Sequence, residues 1–416
     1  MGAYEGTGDL VKGGRGSTIG GIPIVHSNDR DRNHVGNPYY YQRGVLIVLE
    51  SALSELERAL GRLGIGRKGA RIEPIGDTGL VQVRLLTRRP IDKLIEELGG
   101  SLPVEPSYVL FPSTHVRGFS AARPMPAPPA TIPKQPLRGK GHSVNIGVVD
   151  LGFFDPAKAG HPRWATQGLV LDQIMGLPDP TLTHHPYVGH GNAIIGILKQ
   201  LAPAATVYTS TIFSQASDAP GGTTDRRLGE AIDKLLGKER IHILVIPFGG
   251  STRLGSMPVT ERILEPHLGS TLVIASAGND GVDFTMYPAV HPDVAGTGSW
   301  RRKATELGWL GKTCRTVTSP LTGLGSRSLA DWSNKGVAAQ LGAAGVAVPA
   351  PFVSDTLKVR SGTLDKPAGV RTLQYDGWGL FTGTSFAAAV AAGCIAGQVG
   401  GASSPTPEAL GAAVMK

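Results

Sequence analysis

The chain has 416 residues, 41% of them apolar, and a formal charge of +8 from 41 Lys and Arg against 33 Asp and Glu. That length fits one large domain and something smaller, and no apolar run approaches the roughly eighteen residues of a membrane span, so no membrane partner is expected. The basic excess does not point to nucleic acid either: residues 114–143 hold Arg117, Arg123, Lys134, Arg138 and Lys140 without an acid, which a solvated Pro-rich linker explains. Two cysteines, Cys314 and Cys394, argue against a disulfide framework, and Cys394 reads as a small core residue. The first residues show no basic region leading into an apolar one, so the expected location is cytoplasmic, with export by another route left open.

Residues 1–40, rich in Gly, Asn, Asp and Arg, read as a flexible arm. Val45–Leu49 is a strand, and Ser51–Leu63 a helix with Leu53, Leu56, Leu60 and Leu63 at helical spacing. Residues 70–86 give two strands around the Gly76-Asp-Thr-Gly79 turn, Ile91–Leu98 a second helix, and Leu102–Leu110 a last strand. The order βαββαβ over residues 41–113 is that of a small α+β ferredoxin-like domain. Residues 114–140, with Pro-rich runs, form an extended basic linker.

From residue 141 to 416 strands and helices alternate. Val144–Val149, Thr206–Ser210, Ile241–Ile246 and Thr271–Ala275 are continuous apolar strands; residues 192–201, 226–236 and 259–264 are helical. That pattern predicts an α/β domain of three layers with a mostly parallel central sheet. Residues 312–380 are short β-like pieces and turns, with an insertion near Phe352–Trp378.

Four stretches carry chemistry. Asp150 lies just past a buried strand, His190 at the start of a helix in Gly189-His-Gly-Asn-Ala193, and Asn279 just past another strand in Ala275-Ser-Ala-Gly-Asn-Asp-Gly281. Ser385 follows the Gly383-Thr384 turn and opens a run of small helix-forming residues. Each has an ordinary structural explanation when considered singly: a helix cap for Ser385, a turn for Asn279, a loop cap for Asp150. Together they supply a hydroxyl nucleophile, a base with a pKa near neutrality, an acid that orients the base, and an amide donor for an oxyanion shared with the Ser385 backbone N–H. His184, His185 and His190 lack metal-ligand spacing, so a zinc site is disfavoured.

This order of acid, histidine and serine resembles the subtilisin-like serine proteases, the subtilases, a chain order that general accounts of catalytic triads also give for that family. The serine motif, Gly383-Thr-Ser-Phe-Ala-Ala-Ala-Val-Ala-Ala-Gly393, follows the family's pattern except that Ala389 replaces a proline. Ala202-Pro-Ala-Ala-Thr-Val-Tyr208, Tyr287-Pro-Ala289 and Trp332-Ser-Asn-Lys-Gly336 also resemble family segments. Leu151 and Asn192 depart from the usual Ser or Thr. The resemblance covers residues 140–416 and implies an endopeptidase acting through Asp150, His190 and Ser385 by way of an acyl-enzyme.

It also implies a substrate strand at Phe248, Gly249 and Gly250, and a pocket walled by Ala275, Ser276, Ala277 and Gly278. Met286 would lie near its floor, shortening the pocket so that small or medium apolar side chains are favoured. The N-terminal domain would be a propeptide serving as intramolecular chaperone and inhibitor, since Val104-Glu-Pro-Ser-Tyr-Val109 resembles its closing strand; self-cleavage is expected near residues 113–114. No cofactor is required by this reading. Related enzymes often bind calcium, but no acidic loop cluster stands out here. The partners expected are a protein or peptide substrate and the chain's own N-terminal domain. Two alternatives differ in kind: a catalytically weak peptide-binding or regulatory protein on the same fold, and an RNA-binding protein. The βαββαβ unit lacks the aromatic-rich strand that RNA recognition needs.

Overall fold

The computed structural model describes residues 18–19, 22–26, 39–65, 70–87, 89–99, 102–112, 123–133, 135–137, 139–184, 186–212, 222–281, 286–303, 313–318, 329–362, 367–401, 403 and 405–414. The N-terminal part holds β1 (Thr18–Ile19), β2 (Ile22–His26), β3 (Tyr40–Leu49), α1 (Leu53–Arg62), β4 (Arg71–Pro74), β5 (Leu80–Arg84), α2 (Ile91–Glu97) and β6 (Val104–Pro112). Strands pair antiparallel in the order β4-β5-β3-β6. Leu56, Ala59 and Leu60 of α1 and Ile91, Leu94 and Ile95 of α2 are buried, as their three-and-four spacing dictates.

Two details differ from the sequence reading. The expected arm contains β2, which pairs with Tyr40, Tyr41 and Gln42; apart from β1, β2 and residues 39–40, it lies outside the described residues. Strand β3 starts five residues before Val45. The rings of Tyr39, Tyr41 and Tyr108 explain this extension: they pack with centroids 5.7–5.9 Å apart and are buried, although the polar sequence around them gives no periodicity.

Beyond β7 (Met125–Pro126) come β8 (Asn145–Asp150), β9 (Phe153–Phe154), α3 (Arg163–Thr166), β10 (Leu169–Val170), β11 (Ile174–Met175), β12 (Thr183–His184) and α4 (His190–Leu201). Next are β13 (Thr206–Thr211), β14 (Thr223–Thr224), α5 (Asp225–Leu236), β15 (Ile243–Ile246), β16 (Phe248–Gly249), α6 (Pro258–Leu264) and β17 (Leu272–Ser276). The remainder is β18 (Val294–Lys303), β19 (Leu341–Val346), β20 (Val348–Pro351), β21 (Thr356–Gly362), β22 (Pro367–Gln374), β23 (Trp378–Phe381), α7 (Thr384–Val399) and α8 (Pro407–Val414).

Seven of these strands form a parallel sheet in the order β10-β13-β8-β15-β17-β18-β19. Side chains alternate between its faces, as a pleated strand requires. Ile146, Val148, Ile243, Val245 and Ile274 point into the core shared with α4 and α7. Val149, Leu244, Ile246 and Val273 point into the one shared with α5 and α6. Both faces are therefore covered, which is why these strands read as unbroken apolar runs. Helix α7 is buried from Thr384 to Gly397, apolar on every side, the signature of a central helix. Its small residues let α4 approach closely: a Cβ on Gly393 would stand 2.9 Å from Leu201 Cβ.

The N-terminal sheet continues the second core. Leu46, Val81 and Leu110 belong to the same apolar cluster as Leu228 and Ile232 of α5 and Val259 of α6. Helices α5 and α6 are joined by buried Asp225, whose carboxylate accepts from the N–H groups of Val259 and Thr260, both at 2.9 Å.

The structure adds detail to two further expectations and corrects a third. The described end of the linker is not free: β7 pairs with β23, and Leu137 N–H donates to Gln200 O. The insertion is an antiparallel hairpin, β21–β22, with β12 parallel alongside. Its base is fixed because Phe352 packs on Tyr375 and Phe381, and Tyr375 Oη donates to Pro124 O at 2.7 Å. Finally, Cys314 and Cys394 form a disulfide, with Cα atoms 5.2 Å apart, rather than leaving Cys394 as a plain core thiol. A pair 80 residues apart carries no local spacing that would reveal it. The cysteine count thus gives no ground for a reducing compartment.

Candidate active site

Asp150 is the last residue of β8, at the carboxyl edge of the sheet where parallel α/β folds place their sites. Its Oδ1 accepts from Leu151 N–H at 2.7 Å. His190 is the first residue of α4, and Gly189 before it has φ +70°, a conformation that glycine adopts without strain. A Cβ there would also lie 2.2 Å from the Phe352 ring, and one on Gly191 would lie 2.6 Å from Gly152 O. The two glycines flanking His190 therefore let the helix start settle onto the loop that carries Asp150. His190 Nδ1 sits 2.9 and 2.8 Å from the two Asp150 oxygens, and both side chains are fully buried. Because a carboxylate only accepts, it is Nδ1 that bears a proton towards Asp150, on the opposite side of the ring from Nε2.

Asn192, read from sequence only as a departure, has a definite structural task. Its Nδ2 donates to Phe154 O at 2.9 Å and its Oδ1 accepts from Phe154 N–H at 3.0 Å. This two-bond clamp ties α4 to the chain just after Asp150.

Ser385 is the second residue of α7, so its N–H has no acceptor within the helix and faces outward at the positive end of the helix dipole. Asn279 follows β17; its Oδ1 accepts from Thr384 N–H at 3.0 Å, and its Nδ2 is buried with no partner among the described residues. Thr384 also accepts from Gly278 N–H through Oγ1 at 3.1 Å. Asn334 steadies the same turn: its N–H donates to Gly278 O, and its Oδ1 accepts from Asp280 N–H, both at 2.9 Å. Ser385 Oγ donates to Pro247 O at 2.9 Å, while His190 Nε2 is buried and has no partner among the described residues. The rings of Phe386 and Phe248 stand 5.2 and 6.2 Å from that imidazole.

The residues expected to bind substrate divide into two groups. Phe248 and Gly249 form β16, which pairs antiparallel with Pro112 and Phe111 at the end of β6. Gly250 exchanges backbone hydrogen bonds with Tyr287. Ala275 and Ser276 stay inside the sheet, opposite Gly296 and Thr297, whereas Ala277 packs in a small cluster with Met286. Met286 lies between two glycines: a Cβ on Gly249 would be 2.8 Å from its Sδ, and one on Gly278 would be 2.4 Å from its Cε. Strand β14, which the sequence reading left out, flanks β6 on the other side through Thr223 and Thr224. Among the described residues no three His, Cys, Asp or Glu side chains gather as metal ligands would, and no helix is long and apolar enough to cross a membrane.

Comparison with known proteins follows this geometry. The chain matches the Subtilase family over residues 141–416. Among solved structures it is similar in fold to fervidolysin from Fervidobacterium pennivorans, a keratinolytic enzyme related to subtilisin, at 15% identity and TM-score 0.52. That match covers 86% of this chain and 55% of fervidolysin, so the chain spans about half the length of that protein. The self-cleaved protease domain of PatA matches at 22% identity and TM-score 0.43, covering 65% of this chain and 86% of that one. A cold adapted subtilisin-like serine proteinase matches at 17% identity and TM-score 0.40, covering 72% and 89%. No curated protein matches. With the family matched across two-thirds of its length, the chain belongs to the Subtilase family.

Proposed function

We propose that the protein is a serine endopeptidase using Asp150, His190 and Ser385, with Asn279 Nδ2 and the Ser385 N–H binding the oxyanion. The observation that carries this reading is a pair of buried atoms without a partner among the described residues, His190 Nε2 and Asn279 Nδ2. Buried polar groups are rarely left without partners, and a site awaiting a substrate is one reason they are. Ser385 Oγ, released from Pro247 O, would pass its proton to His190 Nε2 and attack the substrate carbonyl. The oxyanion so formed would collapse to an acyl-enzyme as His190 protonates the leaving amine. Water would then repeat the sequence and free the acid product.

We further propose that the N-terminal domain is a propeptide-type inhibitor. The end of β6 runs as the middle strand between β14 and β16, the position a bound peptide would take. Phe248, which pairs with Pro112 at the end of β6, directly follows Pro247, whose carbonyl holds Ser385 Oγ. The end of β6 is in keeping with cleavage near residues 113–114, the place expected from the sequence. The room left by Met286 would favour a small residue on the acyl side of the bond.

A second reading, a catalytically weak peptide-binding protein, is favoured by one observation: Ser385 Oγ is bonded to Pro247 O and not to His190. A fluorophosphonate probe with intact-mass measurement separates the two. The protease reading expects labelling and a cut near residue 113 in wild type, and neither in Ser385→Ala. Full-length, unlabelled protein in both cases would leave the binding module.

A further inference from the structure

Two three-stranded sheets, β12-β21-β22 and β20-β23-β7, carry basic side chains without an acid. Their six strands hold Lys358, Arg360 and Arg371 and no Asp or Glu. Arg123 stands two residues before β7. It is only 3% exposed, yet Nε and Nη1 of its guanidinium are shut off from solvent with no hydrogen-bond partner among the described residues.

The surroundings explain the lack. Pro124 O accepts from Tyr375 Oη at 2.7 Å, and Met125 and Pro126 are paired with Leu380 and Gly379 of β23. The backbone that follows Arg123 is therefore already engaged. A counter-charge is missing too. Burial lowers the Arg123 pKa, and the one charged side chain that acts on it, Arg371 of β22, is a second guanidinium that lowers it further; only the Tyr375 hydroxyl opposes them. A buried cation whose lost hydration is not replaced is strongly unfavourable, so such a group calls for an anion. Guanidinium is a planar fork of N–H donors that matches carboxylate and phosphate oxygens in pairs.

We propose that Arg123 and Arg371 form a binding site for a small oxyanion, a phosphate or a carboxylate. Arg123 Nε and Nη1 are its buried donors, and the exposed Arg371 closes it from the solvent side. The bound anion joins the chain entering β7 to β22 and so fastens the β21–β22 hairpin at its base. Tyr375 contributes position rather than a donor hydrogen, since its hydroxyl is spent on Pro124 O and its ring packs on Phe352 at 4.8 Å. None of these groups belongs to the candidate active site, and the inference does not depend on the endopeptidase reading.

The test follows the thermal unfolding midpoint of full-length Ser385→Ala protein, chosen so that the chain stays whole, in chloride, phosphate and succinate at neutral pH and equal ionic strength. A ligand that binds only the folded protein raises the midpoint progressively with its concentration. Phosphate, succinate or both should raise it above chloride, and the one that does so identifies the ligand as inorganic phosphate or as a carboxylate. Arg123→Met should abolish that rise and, because it removes a buried charge without a protein partner, should be no less stable than its parent in chloride. Arg371→Gln, a change at an exposed position, should weaken the anion's binding about two- to fivefold. No rise over chloride with either anion, or a rise that survives in Arg123→Met, overturns the proposal. If Arg123→Met does not fold, Arg371→Gln decides alone: weaker binding supports the site, and an unchanged dissociation constant overturns it.

Discussion

Asn279 is the side chain on which the proposed oxyanion site depends most directly. Its carbonyl end is fixed by Thr384 N–H, which orients the amide and leaves Nδ2 without an acceptor among the described residues. Replacing it with alanine removes a donor that acts as charge develops, so kcat should fall about 10²–10³-fold, or about 2.7–4 kcal/mol, with KM little changed. Steady-state kinetics on a fast peptide check this, and an unaltered kcat would remove Asn279 from the oxyanion site. The four candidate residues stood out in the sequence because each ends a strand or starts a helix and because their order and flanks resemble one family's pattern. The groups that brace them did not. Asn192 clamps the backbone of Phe154, 38 residues away, and Asn279 meets Thr384 across 105 residues. Bonds to backbone atoms leave no mark on the partner's identity, so Asn192 looked like a mere departure from the family pattern.

Helix α7 joins the proposed nucleophile to the disulfide: Ser385 lies in its first turn, and Cys394 bonds to Cys314 nine residues further on. The bridge closes a loop of 80 residues, for which chain-entropy reasoning gives about 4 kcal/mol of stabilisation through the unfolded state. Cys314→Ser in a Ser385→Ala background should therefore unfold at lower denaturant concentration, by about 2–5 kcal/mol, and behave like the dithiol-reduced parent. Equal midpoints for the oxidised and reduced proteins would refute this. At this scale the central strands and the helices between them were readable from continuous apolar runs alternating with helical spacing. Strands β10, β11, β12 and β14 escaped because two residues each are too few for any period, and their pairing is with distant chain. The β21–β22 hairpin was legible only as short β-like pieces: buried Leu357 and Val359 alternate with exposed Thr356 and Lys358 on β21, but Val370 and Arg371 of β22 are both exposed. Ala389 is buried in the unbroken helix and keeps the backbone N–H that a proline would remove.

The N-terminal domain and the peptidase domain share a core but meet through polar contacts at its margin. Arg226 bonds Glu73 at 2.8 Å, Arg253 bonds Glu105 at 3.1 Å and takes Tyr108 Oη on its N–H at 3.0 Å, and Arg262 reaches Thr78 O at 3.2 Å. A cleft of about 1100 Å³ between strand residues such as Ile47 and Val104 and the Pro258–Arg262 end of α6 leaves the seam partly open to water. Once the linker is cut, the domain would stay bound only by this surface. The Arg226 guanidinium, through its hydrogen bond, holds the Glu73 carboxyl below its ordinary range. A lowered carboxylate pKa contributes to docking fully above the free value of about 4.3, and the contribution is lost as pH falls through the lowered value. Acid therefore loosens the domain and neutral pH retains it. Both side chains are partly exposed, so the single pair is worth about 0–1 kcal/mol. Glu73→Gln alone should raise the dissociation constant of the cut domain no more than about fivefold, and Glu73→Gln with Glu105→Gln about tenfold or more, since Glu105 is the less exposed carboxylate and also meets Tyr108. Gel filtration of self-processed protein between pH 3 and 7, at low and high salt, reads the retained fraction directly. Retention should fall towards pH 3, and salt should weaken the wild-type complex more than the double variant. A retained fraction that ignores pH and salt would mean that the apolar sheet face alone holds the domain, and that the ion pairs at the seam contribute nothing to inhibition.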